Sequence, residues 1–261
     1  MTADETKYVV QRVIVTGGAG GLGAAIAARF AKSGARVFVG DANREALEDT
    51  LNITGGIEGA YCDVSSADSV AAFLDKAIAA LCGVDVLVNN VGVAGPIGPL
   101  EENDPKAWEA SVATNLFGAF RCTHGVIGYM KNQKSGAIIN ISSGSTSTTP
   151  PGRTAYVAAK AGLEGMTQSL AREVGPFGVR CNAIQPGPLR NERMIGVLRA
   201  QPGAFGKSDH ELIAEASAFV SLRRFVEMDE VAAMVEFLCS PAGAAVTGKI
   251  IGVDCGIHYE A

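Results

Sequence analysis

No stretch of about twenty consecutive apolar residues occurs in this chain, so no membrane-spanning helix is expected. The N-terminal segment Met1 to Lys7 carries Asp4 and Glu5, lacks an apolar core, and does not read as a secretion signal. Basic charge is scarce: 22 Lys and Arg against 27 Asp and Glu leave a net charge of −5. That offers no positive field to a nucleic-acid backbone. The six cysteines (Cys62, Cys82, Cys122, Cys181, Cys239 and Cys255) form no CxxC pair, and the three histidines (His124, His210 and His258) are far apart. No metal site or disulfide framework is expected, and the cysteines read as small buried side chains in a reducing compartment. Internal repeats and low-complexity linkers are also missing. These absences exclude a membrane span, a nucleic-acid partner and a metalloprotein, and leave a soluble chain expected in the cytoplasm.

What is abundant is glycine, 32 residues, and apolar side chains, 48% of 261 residues. Such a chain can bury a sizeable core with many tight turns. Short β-branched runs alternate with helical patterns. Strands are expected at Arg12–Thr16, Arg36–Gly40, Ala60–Cys62, Val84–Asn89, Ala137–Ile141, Val179–Ile184 and Lys249–Val253. Helices are expected at Ala24–Ser33, Arg44–Leu51, Ala67–Ala80, Pro105–Met130, Thr154–Gly175 and Asp229–Cys239. Strands that are apolar throughout belong in a parallel sheet covered on both faces, and right-handed crossovers make it doubly wound. We expect one α/β domain over 1–261, with a loop or short helices at about 187–225 covering a cleft.

Three groups of residues carry chemistry. Thr16 to Gly23 (TGGAGGLG) lies between a strand and a helix, where a glycine loop lets the backbone approach a pyrophosphate at a helix N-terminus. Its register is open: Gly18, Gly20 and Gly23 fit G-x-G-x-x-G, while Gly17, Gly21 and Gly23 fit T-G-x-x-x-G-x-G. Asp41 closes the second strand, where a carboxylate can accept both hydroxyls of an adenosine ribose and repel a 2′-phosphate. It can also cap the helix that follows, and the two roles are compatible. NAD is favoured over NADP, with Arg44 as the alternative that would recognise a phosphate. Tyr156 and Lys160 stand four apart on one helix face, with Ser143 upstream. An ammonium beside a phenol favours the phenolate and suits proton exchange with an alcohol or carbonyl oxygen.

In order along the chain, Thr16 to Gly23, Asp41, Asp63-Val64, Asn89-Asn90-Val91-Gly92, Asn115, Ser143, Tyr156 to Lys160 and Pro186-Gly187 resemble the short-chain dehydrogenase/reductase family over essentially the whole length. The resemblance implies a Rossmann-type fold and selects Gly17, Gly21 and Gly23, with Leu22 beside them, for the cofactor. It makes Tyr156 the general acid/base, gives Lys160 the nicotinamide ribose and the phenol, and lets Ser143 hydrogen-bond the reacting oxygen. Asn115 would anchor a water relay past Lys160. Asp63 and Val64 would meet the adenine, Asn89, Asn90 and Gly92 the ribose region, and Pro186, Gly187 and Leu189 the nicotinamide carboxamide. Two departures stand out: Val91 where alanine is common, and Asn191 where a threonine is common.

The implied activity is hydride transfer between NAD(H) and a secondary alcohol or ketone. Reduction of a 3-oxoacyl thioester and a catalytically silent nucleotide sensor are the alternatives. The substrate pocket is expected between Val93–Ile97, Gly144–Arg153 and the loop after Gly187. Thr146, Ser147 and Thr148 would form a polar wall. Met194, Ile195, Val197 and Leu198 would line an apolar pocket or seat the covering segment. Arg190, Arg193 and Arg199 are read as solvated loop charges, with binding of an anionic substrate group as the alternative. By resemblance, the two long helices pair between subunits of a homotetramer or homodimer.

Overall fold

Seven apolar runs form one parallel sheet: β1 (Arg12–Thr16), β2 (Arg36–Asp41), β3 (Ile57–Tyr61), β4 (Val86–Asn89), β5 (Gly136–Ile141), β6 (Val179–Pro186) and β7 (Ile250–Val253). Their spatial order is β3-β2-β1-β4-β5-β6-β7. This computed structural model describes residues 11–53, 56–199 and 203–257. Met1 to Lys7 and His258 lie outside the described residues, as do the side chains of Arg193 and Val197.

Side chains along a strand alternate between faces, so an apolar run feeds two cores at once. Val13 and Val15 of β1 face one core, Ile14 the other; Val86 and Val88 of β4 divide from Leu87 in the same way. On the first face pack α1 (Gly21–Lys32), α2 (Arg44–Ile53) and a late helix at Met228–Cys239, through Ile26, Phe30, Leu47, Val231 and Val235. The second face takes α3 (Ala67–Leu81) and helices at Gly118–Gln133 and Thr154–Val174, through Phe73, Leu74, Val126, Met130 and Val174. Truncating a fully buried member such as Phe30 or Phe73 to alanine costs about 3–5 kcal/mol. At the N-terminal end of the sheet Asp85 accepts from Arg12 Nε at 2.8 Å and Nη2 at 2.6 Å, tying the base of β1 to the base of β4.

Two expected elements change form. The third strand starts at Ile57, not Ala60: Gly59 can pair with β2 because it has no Cβ, which would come 2.8 Å from the Val39 carbonyl oxygen. The long helix expected at Pro105–Met130 is interrupted. It runs as α4 (Pro105–Val112), a π-helical stretch at Ala113–Phe117, and α5 (Gly118–Gln133). Asn115 sits in that stretch and donates from Nδ2 to the carbonyl of Ser111 at 2.9 Å. A side chain bonded into the carbonyl ladder opens a helical turn.

Beyond β5 come α6 (Ser145–Thr148) and α7 (Thr154–Val174). After β6, α8 (Glu192–Arg199) and α9 (Asp209–Ala216) occupy the irregular stretch, and α10 (Met228–Cys239) precedes β7. Leu198, Leu212 and Phe225 give α8 and α9 a small apolar cluster of their own, joined by Met194 and Ile213. None of the helices among the described residues is long and apolar enough to cross a membrane.

The cysteines divide by burial. Cys122, Cys181 and Cys239 are buried and their thiols are pushed up to about 12, while burial also raises Cys62 and Cys255. Cys82 alone is exposed, at the left-handed end of α3. With an aromatic disulfide reagent at pH 8, we expect one fast-reacting thiol in the native protein and all six after denaturation. Cys82→Ser should remove the fast phase; its persistence would contradict this burial pattern.

Candidate active site

The strand order reverses direction between β1 and β4, so the loops leaving their C-terminal ends diverge and open a crevice. A cavity of about 890 Å³ lies there. It is lined at one end by Gly17, Gly21, Leu22, Asp41, Asp63 and Val64, and at the other by Ser143, Tyr156, Lys160, Pro186, Gly187 and Leu189, with Asn90 and Gly92 between. Most of the residues singled out in the sequence therefore share one wall system. Gly23, Asn89 and Asn115 are not part of it.

The glycine loop resolves its own register. Gly17 and Gly21 have φ of +65° and +52°, values that favour glycine. A Cβ on Gly23 would come 1.9 Å from the Gly17 carbonyl oxygen and 2.6 Å from Asn90 Nδ2, whereas one on Gly20 would meet nothing within 4 Å. Gly17, Gly21 and Gly23 need glycine; Gly18 does too, because a Cβ there would come 2.6 Å from Val39 Cβ, so Gly20 is the open position that sets the G-x-G-x-x-G register aside. Asn90 explains the crowding: its Nδ2 donates to the carbonyls of Thr16 and Gly17, at 3.1 and 3.0 Å. Asn90 clamps the loop besides lining the cavity.

Asp41 Oδ2 accepts the Ala19 N–H at 3.1 Å and Oδ1 accepts the Asn43 N–H at 2.9 Å. Each oxygen keeps a lone pair for a ligand. Arg44 is drawn elsewhere: its guanidinium lies 4.0 Å from the Tyr61 ring centroid, outside the cavity wall. Asp63 Oδ1 accepts from Ser65 N–H and Oγ, and Val64 is nearly fully buried beneath the adjoining wall.

At the other end, Lys160 is buried and its Nζ donates to the Ile141 carbonyl at 2.7 Å, joining α7 to the tip of β5. Nζ lies 5.9 Å from the Tyr156 ring centroid. Gly92 passes so close that a Cβ there would sit 3.3 Å from Lys160 Nζ and 3.0 Å from Asn115 Oδ1. Ser143 Oγ accepts the Ser145 N–H at 3.1 Å, which leaves its proton for an acceptor in the cavity. Behind it, Glu164 Oε1 accepts from Ser142 Oγ, Thr146 Oγ1 and Gln185 Nε2 at 2.5, 2.8 and 3.0 Å, bracing the serine segment. Sequence reasoning passed over Glu164, one turn beyond Lys160.

Several expectations need correcting. Asn89 points away from the cavity: it is buried and donates to Thr123 Oγ1 and Asn140 Oδ1, linking β4 to α5 and β5. Alternation along β4 turns it inward where its neighbour Asn90 turns to the loop. Asn115 is 1% exposed, and its amide serves Val93 and Ser111, so it braces the wall beside Lys160. Thr146 and Ser147 face Glu164 and Gln185, leaving Ser145 as the hydroxyl of α6 that reaches the cavity. Arg190 and Arg199 keep to the reading as solvated charges: both side chains are exposed, they pair with Glu227 at 2.8 Å and Asp209 at 2.7 Å, and neither lines the cavity. Asn191 does line it, while its Oδ1 accepts the Met194 N–H at 2.8 Å and caps α8. Among the described residues the arginine that does reach the cavity is Arg153, with Cζ 4.7 Å from the Tyr156 ring centroid. Its signal in the sequence was its place three residues before Tyr156.

Gly23→Ala should lower unfolding stability by about 1–3 kcal/mol, the usual cost of forcing atoms into a filled space. Gly20→Ala should stay within about 0.5 kcal/mol of the parent. Equal denaturation midpoints for the two variants would contradict the register.

Comparison with known proteins agrees with this geometry. A family model described as "Enoyl-(Acyl carrier protein) reductase" matches residues 17–258. D-threitol dehydrogenase of Mycolicibacterium smegmatis is 37% identical over 247 residues, 93% of this chain and 91% of that protein. The 3-oxoacyl-(acyl-carrier-protein) reductase FabG of Thermotoga maritima is 32% identical over 250 residues, 94% of this chain and 96% of the relative. An actinorhodin polyketide ketoreductase crystallised with NADPH superimposes with a TM-score of 0.88 at 33% identity, covering 94% of this chain and 96% of its own. The chain belongs to the short-chain dehydrogenase/reductase family, whose members are oxidoreductases acting on alcohols and ketones with a nicotinamide cofactor.

Proposed function

We propose that this protein transfers a hydride between NAD(H) and a secondary alcohol or the corresponding ketone, with Tyr156 as general acid/base. The observation that carries this reading is one cavity holding a phenol, an ammonium and a serine at one end and a carboxylate beside a glycine loop at the other. Its size, about 890 Å³, falls within the range of small-molecule and cofactor sites.

The residues fit a dinucleotide. Gly17, Gly21 and Leu22 would take the pyrophosphate at the start of α1, Asp41 the adenosine ribose, and Asp63 and Val64 the adenine. Lys160 would hold the nicotinamide ribose, with Asn90 and Gly92 alongside, and Pro186, Gly187 and Leu189 the carboxamide. When bound, the nicotinamide supplies the acceptor or donor of hydride. Tyr156 takes the alcohol proton during oxidation and returns it to the ketone oxygen in the reverse direction. Ser143 donates its free proton to the reacting oxygen. The relay past Lys160 is retained for Asn115 with its backbone carbonyl as the water anchor, because the side-chain amide is committed to Val93 and Ser111.

NAD is favoured over NADP because a 2′-phosphate would face the Asp41 carboxylate, and because Arg44 is stacked on Tyr61. The 3-oxoacyl thioester reading is favoured by the FabG relative and the acyl-reductase family model. A panel of alcohols, ketones and 3-oxoacyl thioesters, followed by nicotinamide absorbance, separates the two; turnover of thioesters alone would replace the first reading. We read residues 1–261 as one cytoplasmic catalytic domain in which the segment 187–225 covers the substrate. We also expect a homodimer or homotetramer formed through α4, α5 and α7, since Phe117, Phe120 and Tyr129 are 48%, 53% and 49% exposed in the single chain. Light scattering tests this.

Tyr156→Phe should reduce kcat at least about 100-fold, the lower range for loss of general acid/base catalysis, and leave NAD affinity within about twofold. Retained turnover would remove the proposed acid/base. Asp41→Ala should weaken NAD about tenfold, as expected for a charge-assisted hydrogen bond, and shift the NAD/NADP affinity ratio toward NADP. An unmoved ratio would sink the ribose assignment.

A further inference from the structure

Arg153 is an unusual arginine in this molecule. Arg12, Arg29, Arg190, Arg199 and Arg224 form ion pairs, and Arg36, Arg121 and Arg180 donate to carbonyls. Arg153 does neither among the described residues, and its Nε is buried without a hydrogen-bond partner. Arg153 is half-buried, and a buried N–H with no acceptor is unfavourable until one arrives. Its Cζ lies 4.7 Å from the Tyr156 ring centroid, within cation–π range, and it lines the same cavity. The neighbouring segment holds it in place: Gly98 N–H donates to the Gly152 carbonyl at 3.0 Å, closing the 93–98 wall over the start of α7.

Resting on the function proposed above, we infer that Arg153 recognises an oxyanion of the substrate, so that the alcohol or ketone turned over at Tyr156 is a hydroxy or oxo acid. Arginine offers a planar fork of donors that matches a carboxylate. Other charges in the cavity leave that task to it. Lys160 is 2% exposed and engaged by Ile141, Asp41 and Asp63 stand at the adenine end, and Glu192 is an exposed carboxylate 3.9 Å from Arg199. Val93, Ile97 and Met194 supply an apolar wall for the body of the molecule. A phosphate monoester has related chemistry, and the test separates it.

The test uses inert probes with the NADH complex of the full chain, in which the neutral ring adds no charge of its own. Calorimetry or nicotinamide fluorescence would follow benzoate, benzamide and inorganic phosphate. We expect benzoate to bind at least tenfold more tightly than benzamide, and phosphate more weakly than benzoate. Arg153→Leu should abolish the preference, Arg153→Lys should restore part of it, and Arg199→Gln should leave it unchanged. Should Arg153→Leu fail to fold, Arg153→Gln serves in its place, with circular dichroism as the check. Equal binding of benzoate and benzamide to the parent, or a preference that survives Arg153→Leu, overturns the inference. Phosphate binding more tightly than benzoate overturns the acid in favour of a phosphate ester. If NADH itself does not bind, the dinucleotide reading fails separately, and the benzoate–benzamide comparison is read on the protein alone with the same two outcomes. With turnover in hand, a hydroxy acid and its amide should differ in kcat/KM by at least tenfold, and the variant should lose that difference mainly through KM. Turnover of neutral alcohols alone would overturn the acid substrate while leaving hydride transfer standing.

Discussion

Two hydrogen bonds from one amide set the geometry on which the site depends. Asn90 Nδ2, at the end of β4, reaches across to the carbonyls of Thr16 and Gly17 at the end of β1. These strands are neighbours in the sheet but their following segments turn opposite ways, so the bond sits at the root of the crevice. Bringing the loops this close leaves no volume for side chains, which is why Gly23 faces the Gly17 carbonyl with nothing between. The same closeness opens the space beyond, where Gly21 and Leu22 begin α1 and line the cavity.

The cavity carries charge of both signs. Asp41 and Asp63 stand beside the glycine loop, Lys160 and Arg153 flank the phenol, and Glu192 at the start of α8 adds a third carboxylate to the lining. The two cations are held differently. Lys160 is buried and tied to the tip of β5 through the Ile141 carbonyl. Arg153 rests on the face of Tyr156, and its Nε has no acceptor among the described residues. A charge already committed to backbone positions groups around it, whereas a charge with unmet donors discriminates among what enters. Glu164 completes the arrangement from behind by gathering Ser142, Thr146 and Gln185 under the serine segment.

Much of the fold was legible because a doubly covered parallel sheet writes itself as apolar runs separated by amphipathic helices. Runs such as RVIVT and AIINI had no other consistent reading. Legibility failed where a neighbour supplied the reason. β3 is an edge strand with Glu58 and Gly59 in its middle, and only the fit of Gly59 against Val39 admits it. The π-helical interruption at Ala113–Phe117 depends on Asn115 finding Ser111 and Val93. Asn89 and Asn90 are chemically identical neighbours, and strand alternation sends one into the core and the other to the glycine loop.

By itself the sequence determined which chemical groups were available: a glycine loop after β1, a carboxylate closing β2, and a phenol and an ammonium one helical turn apart. Local spacing is enough for that, because four residues along a helix bring two side chains to one face regardless of what lies opposite. Tertiary structure decided which of the remaining polar groups were spent on the fold and which were left for a ligand. Arg190 and Arg199 found carboxylates on neighbouring segments, Asn115 found Val93, and Arg153 kept a buried Nε with no acceptor among the described residues. Ion pairs and buried hydrogen bonds join residues distant in the chain, so whether a charge is satisfied is a property of the folded neighbourhood and is written nowhere in the spacing of residues.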